Sequence, residues 1–154
     1  MDAHSVEVTI GQEAAEFMVQ EAKSWHPCET GGVLVGHIHN GNFLVELAVG
    51  PGPNAQHKRA FFRRNQEYAE RQVEEAFEKS KGRHDYLGEW HSHGRRQGPS
   101  TTDIISMMQI RDEVSNNCSR PLLIIVMQHR GSWAFYAYIP DSNALKEIYA
   151  EVEE

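Results

Sequence analysis

A chain of 154 residues has the size of one ordinary domain and can bury a core without disulfide or metal staples. A formal charge of -7 and a pI near 5.7 argue against general nucleic-acid binding, which needs clustered lysine and arginine to neutralise phosphates. With no opening hydrophobic run, no segment of membrane-spanning length and only two cysteines, Cys28 and Cys118, the expectation is a cytoplasmic protein with free thiols and no membrane or nucleic-acid partner.

Ser5 to Ile10 alternates apolar and polar residues with β-branching and reads as a half-buried strand ended by Gly11. Glu13 to Trp25 places Ala14, Phe17, Met18, Ala22 and Trp25 at helical spacing, and Pro27 marks the stop. Glu29 to His39 and Asn42 to Val49 flank Asn40-Gly41 and predict a hairpin. An acid, Glu29, stands at the start of its buried apolar strand, just before Gly31-Gly32, where the backbone or a substrate can approach closely. His37-Ile38-His39 near the hairpin turn reads as solvent-facing, because no carboxylate or cysteine lies near it to complete a site.

The segment from Gly50 to about Arg64 opens as a Gly-Pro loop with no clear pattern and is expected to be mobile and near the site; Lys58-Arg59 and Arg63-Arg64, like Arg95-Arg96, are local basic spots. Asn65 to Lys81 has helical spacing, with i,i+4 pairs Glu67/Arg71 and Glu75/Lys79 on a solvated face and Gly82 past its end. Pro121 to Met127 is a continuous apolar run, which means burial on both faces and a central place in the sheet. Arg130-Gly131 turns the chain into an aromatic-rich neighbour, Ser132 to Ile139, and the acidic stretch Asn143 to Glu154 reads as a short helix or a frayed tail.

The chemistry concentrates between these elements. Asp85 to Trp90 reads as a strand, so His91 and His93 at its end project to the same side. A Gly- and Pro-containing loop follows, and Ser100 then opens a helix, continued by Ile104, Met107 and Met108, with Asp103 in its first turn. Ser100 and Asp103 are equally the pattern of a plain capping box; the two methionines are core filler. Two imidazole nitrogens and one carboxylate oxygen, with a fourth position left for water, describe a catalytic zinc site.

Glu29-Thr30-Gly31-Gly32 before a hairpin, then Gly88-Glu89-Trp90-His91-Ser92-His93, then Pro99-Ser100-Thr101-Thr102-Asp103 together resemble the JAB/MPN (JAMM) metalloprotease family, in its stand-alone prokaryotic branch. The resemblance covers most of the chain and implies a single domain over 1–154 with a cytidine-deaminase-like α/β fold, a mixed sheet flanked by helices. It implies one zinc ion held by His91, His93 and Asp103, with Glu29 activating the water and Ser100 steadying the oxyanion. It further implies a peptidase or isopeptidase that cuts after the C-terminal glycine of a ubiquitin-like or sulfur-carrier protein, with E1- and E2-like enzymes as associates, as in anti-phage systems. Gly31-Gly32 suggests a narrow channel in which a Gly-Gly tail joins the hairpin edge as an added strand. Gly94 stands where the family commonly has proline, in a loop one residue shorter, and predicts a more flexible loop. The alternative on the same resemblance is a non-catalytic scaffold that binds a partner. A nucleobase deaminase would need His-x-Glu and Pro-Cys-x-x-Cys, and Pro27-Cys28 lacks the second cysteine.

Overall fold

The computed structural model describes residues 5–113, 118 and 120–154. In chain order the elements are β1 (Glu7–Ile10), α1 (Gln12–Trp25), β2 (Gly31–His39), β3 (Asn42–Ala48), β4 (Gln56–Lys58), β5 (Phe61–Arg63), α2 (Gln66–Lys79), β6 (Asp85–Ser92), α3 (Thr101–Asp112), β7 (Leu122–His129), β8 (Ser132–Asp141) and β9 (Ala144–Val152). Seven strands form one mixed sheet in the order β1-β3-β2-β6-β7-β8-β9, closed by a parallel pairing of β1 with β9. The expected α/β architecture holds, and closure into a barrel is an addition to it.

Alternation along the strands sorts the core into two sides. Leu122, Ile124 and Val126 of β7 join Leu34, Trp90, Phe43, Ile10 and Ile148 in a cluster that packs on Ala14, Ala15, Met18 and Ala22 of α1. The intervening Leu123, Ile125 and Met127 pack with Met107 of α3 and Tyr138 of β8. Both sides of β7 are thereby buried, as its unbroken apolar run predicts. Ala69 of α2 covers Val33 and Val35 of β2, so α2 and α3 lie on the side of the sheet opposite α1.

Two expectations are corrected. Residues 144–152 are neither helix nor frayed tail: β9 pairs antiparallel with β8 and parallel with β1. Its acidic residues point outward, whereas Ile148 and Ala150 enter the core, and this period of two was masked by glutamates that suit a helix as well. The patternless stretch before α2 forms a two-stranded ribbon, β4 paired with β5, tied to the main body by a hydrogen bond from Glu29 N to Lys58 O (2.7 Å).

Candidate metal centre

The site is built where β2 starts, β6 ends and α3 begins. Gly31 pairs with His91 in the antiparallel β2–β6 ladder. The pairing extends one step further, because Ser92 N donates to Thr30 O (2.8 Å) and Thr30 N donates to Ser92 Oγ (3.0 Å). That register sets Glu29 across from His93. Close passage of the strands explains Gly31-Gly32: a Cβ on Gly31 would lie 2.2 Å from Trp90 O, and one on Gly32 1.9 Å from Val49 O. The glycines admit neighbouring strands, and β2 lies between β3 and β6, so the hairpin has no free edge there for an added strand.

Ser100 caps α3 through a complete capping box. Its Oγ accepts from Asp103 N (3.1 Å) while its own N–H donates to Asp103 Oδ2 (2.8 Å). The cap aims the Asp103 carboxylate back at the end of β6, where Oδ1 lies 3.2 Å from His91 Nε2 and Oδ2 lies 3.5 Å from His93 Nε2. The two Nε2 atoms are 3.2 Å apart. His93 Nδ1 donates to the carbonyl oxygen of Gln97 (3.1 Å), so Nε2, which faces the carboxylate, offers a lone pair to a metal in the neutral ring and a proton to Asp103 in the protonated one.

Donor atoms about 2.0–2.1 Å from a tetrahedral zinc stand about 3.4 Å from one another. The 3.2 Å between the two nitrogens, and the 3.2 and 3.5 Å from them to the two oxygens of the Asp103 carboxylate, are close to that spacing, and one donor atom from each residue lies within 4.8 Å of the others, so the donor set fits the ion. The electrostatics point the same way. Burial alone would raise the Asp103 carboxyl, yet the hydrogen bonds to His91 and His93 hold it far below the ordinary carboxylate range. Burial depresses His93, but Asp103, the Gln97 carbonyl and Glu29 outweigh it and raise its affinity for a proton. A site that draws protons onto buried nitrogen in this way favours a cation.

Glu29 is only 7 % exposed, and burial raises its carboxyl against the opposing pull of His91 and His93. Its carbonyl oxygen accepts from His57 Nδ1 (3.1 Å), and the His57 ring stacks on Trp25 with centroids 3.4 Å apart. Thus the β4–β5 ribbon pins the backbone that carries Glu29. Gly94 has a steric role: a Cβ there would meet Pro27 O at 2.2 Å, so its lack of a side chain lets the loop close against the segment leading to Glu29.

All five site residues expected from the sequence converge here. Others were not foreseen. Arg64 makes a two-pronged contact with Glu89 (2.9 and 3.2 Å), and the Tyr86 hydroxyl donates to the same carboxylate. Glu89 sits two residues before His91 on the same side of β6, which was the available signal; Arg64 read only as part of a basic spot. These residues line a cleft of about 1240 Å³ that includes Phe61, Phe62, His91 and Asp103. The expectation for the second histidine pair also fails in part. His39 is exposed, but His37 is half-buried, and Glu46 and His84 stand beside it.

Residues 11–140 match the family model for prokaryotic homologues of the JAB domain. The chain belongs to that family. Membership places it among peptidases. A protein of Sinorhizobium fredii named probable metalloprotease y4qB is 27 % identical over 150 residues, covering 95 % of this chain and 91 % of its own length. A Vibrio cholerae protein named CD-NTase/cGAS isopeptidase is 34 % identical over 106 residues, 68 % of this chain and 65 % of the relative. The solution structure of protein DSY2949 from Desulfitobacterium hafniense shares the fold, with a TM-score of 0.70 at 17 % identity over 96 % of this chain and 93 % of that one. No helix among the described residues is long and apolar enough to cross a membrane.

Proposed function

We propose that this JAB-family domain, taken as one unit over 1–154, is a cytoplasmic zinc-dependent peptidase or isopeptidase that cuts after the C-terminal glycine of a ubiquitin-like or sulfur-carrier protein. The observation that carries the reading is the convergence of the His91 and His93 Nε2 atoms, 3.2 Å apart, on the Asp103 carboxylate at 3.2 and 3.5 Å, with the buried Glu29 across the ladder from His93. His91, His93 and Asp103 would hold the ion, which would supply a Lewis acid and a water activated at neutral pH.

The chain's own groups do the remainder. Glu29, in a dry position, takes a proton from the attacking water and returns one to the leaving amine. Ser100 uses its oxygen as the helix cap, and since a hydroxyl is both donor and acceptor, its hydrogen is left to meet negative charge developing on the scissile oxygen. The cleft beside His91 and Asp103 gives the tail a place to lie, and the β4–β5 ribbon, unlike the closed main sheet, has edges for strand addition. Relatives in three bacteria named CD-NTase/cGAS isopeptidase make a nucleotidyltransferase of that kind a reasonable conjugated target, with E1- and E2-like enzymes as associates.

The test is incubation with glycine-tailed fusion proteins. Cleavage should stop with a chelator and return with zinc. Glu29→Gln should keep its zinc and lose about 10²–10⁴ in rate, the usual worth of a positioned acid–base group. Cleavage by Glu29→Gln at the normal rate removes Glu29 from the reaction; a metal-free protein that binds the tailed protein without cutting it would make this a scaffold.

A further inference from the structure

Six positions along β2 from the site end of the ladder, His37 lies about 20 Å from the His91 side, at roughly 3.3 Å per residue. It shares a side of β2 with Val35, which packs against the α2 layer. There one ring nitrogen each of His37 and His84 and one carboxylate oxygen of Glu46 lie within 4.8 Å of one another. The three come from three different segments: β2, β3 and the connection from α2 into β6. The imidazoles stack nearly parallel, 8° between planes, with centroids 5.7 Å apart. The backbone at His84 is held by its amide N–H, which donates to Ser80 Oγ (2.8 Å). His37 Nδ1 is sealed from solvent without a hydrogen-bond partner among the described residues, an arrangement that costs free energy in an apo imidazole.

We propose that His37, Glu46 and His84 form a second metal site, selective for zinc and similar borderline divalent ions, that clamps the far end of the β2–β3 hairpin to the segment entering β6. The donor set, two imidazoles and one carboxylate, suits zinc and excludes calcium and magnesium, which take oxygen ligands. Tetrahedral donors stand about 3.4 Å apart, so the cluster must contract on the ion, and the exposed Glu46 side chain supplies the freedom to do so. Four groups face His37: Glu46 favours a cation, while Arg83, His84 and His39 oppose one. A metal here ties together segments far apart in sequence and is absent from the unfolded chain, so it adds stability by mass action.

This site does not depend on the catalytic reading, and the experiment keeps the two apart. Chelator-stripped protein is titrated with zinc chloride by calorimetry and equilibrium dialysis, in wild type, H84Q, E46Q, H91A/H93A and the triple variant H84Q/H91A/H93A. Two equivalents are expected for wild type, one for H84Q and for H91A/H93A, and none for the triple variant, with E46Q weakening the second site at least tenfold. Thermal unfolding of H91A/H93A should shift upward with zinc and that of the triple variant should not, while H84Q alone should leave the apo transition and the peptidase activity as in wild type. An H84Q that binds as many equivalents as wild type, or a folded H91A/H93A that binds none, overturns the second site, whereas a wild type that binds one equivalent and loses it in H84Q overturns only the site at His91, His93 and Asp103. If H91A/H93A does not fold, the comparison of wild type with H84Q decides alone.

Discussion

Ser100 holds two duties that substitution can separate. As N-cap its oxygen satisfies Asp103 N, and an N-cap Ser→Ala change costs about 1 kcal/mol, whereas Ser→Gly costs only a few tenths. As an oxyanion donor its hydroxyl would be worth about 10²–10³ in rate. Ser100→Gly is therefore expected to unfold near the wild-type temperature yet lose most of its cleavage rate, while Ser100→Ala loses both stability and rate. Equal rates for wild type and glycine variant would leave Ser100 a cap and nothing more. Gly94 poses a purely steric question. A methyl group 2.2 Å from Pro27 O must push the loop off the Glu29 segment, and overpacking of this kind costs about 1–3 kcal/mol. Gly94→Ala should lower the unfolding temperature and weaken zinc binding, because the displaced loop also carries the Gln97 carbonyl that orients His93. An alanine variant with unchanged melting and zinc affinity would mean that the close approach is not needed.

At the scale of elements, the ribbon and α2 are anchored to β6 by Arg64 on Glu89. Removing one partner leaves the other charge half-buried among apolar side chains, so Arg64→Met or Glu89→Gln alone should cost on the order of 1–3 kcal/mol. The pair R64M/E89Q should recover part of that, giving a coupling energy in denaturant titrations; strict additivity would show that the two side chains do not support each other. This contact also marks the limit of what could be read from residues alone. The helices, the β7 run, the hairpin turns and the His-x-His to Ser-x-x-Asp sequence were legible because each depends on spacing within a short segment. Arg64 with Glu89, His57 under Glu29, and His84 beside His37 were not. Those pairs are created by β2–β6 register and by the return of α2, and no local pattern encodes a contact between segments tens of residues apart.

For the molecule as a whole, the least legible element has the widest consequence. Strand β9 closes the sheet, pairing with β8 on one side and β1 on the other, and is not a neighbour of β2 or β6, the strands that carry the site. Ile148 is its core anchor, only 9 % exposed, and Ile148→Ala is expected to cost about 2–4 kcal/mol through lost burial and the cavity left behind. Ending the chain after Asp141 does something different in kind. It unpairs the outer edges of β8 and β1, and a bare edge is a template for pairing with another molecule. Size-exclusion chromatography should show Ile148→Ala as a less stable species that elutes as wild type does, and the shortened chain as multimers or aggregate. Zinc binding at His91, His93 and Asp103 should persist in Ile148→Ala below its melting temperature, because β2, β6 and α3 carry that site without β9. A shortened chain that stays soluble and elutes unchanged would show that barrel closure is dispensable and that the open sheet flanked by helices suffices.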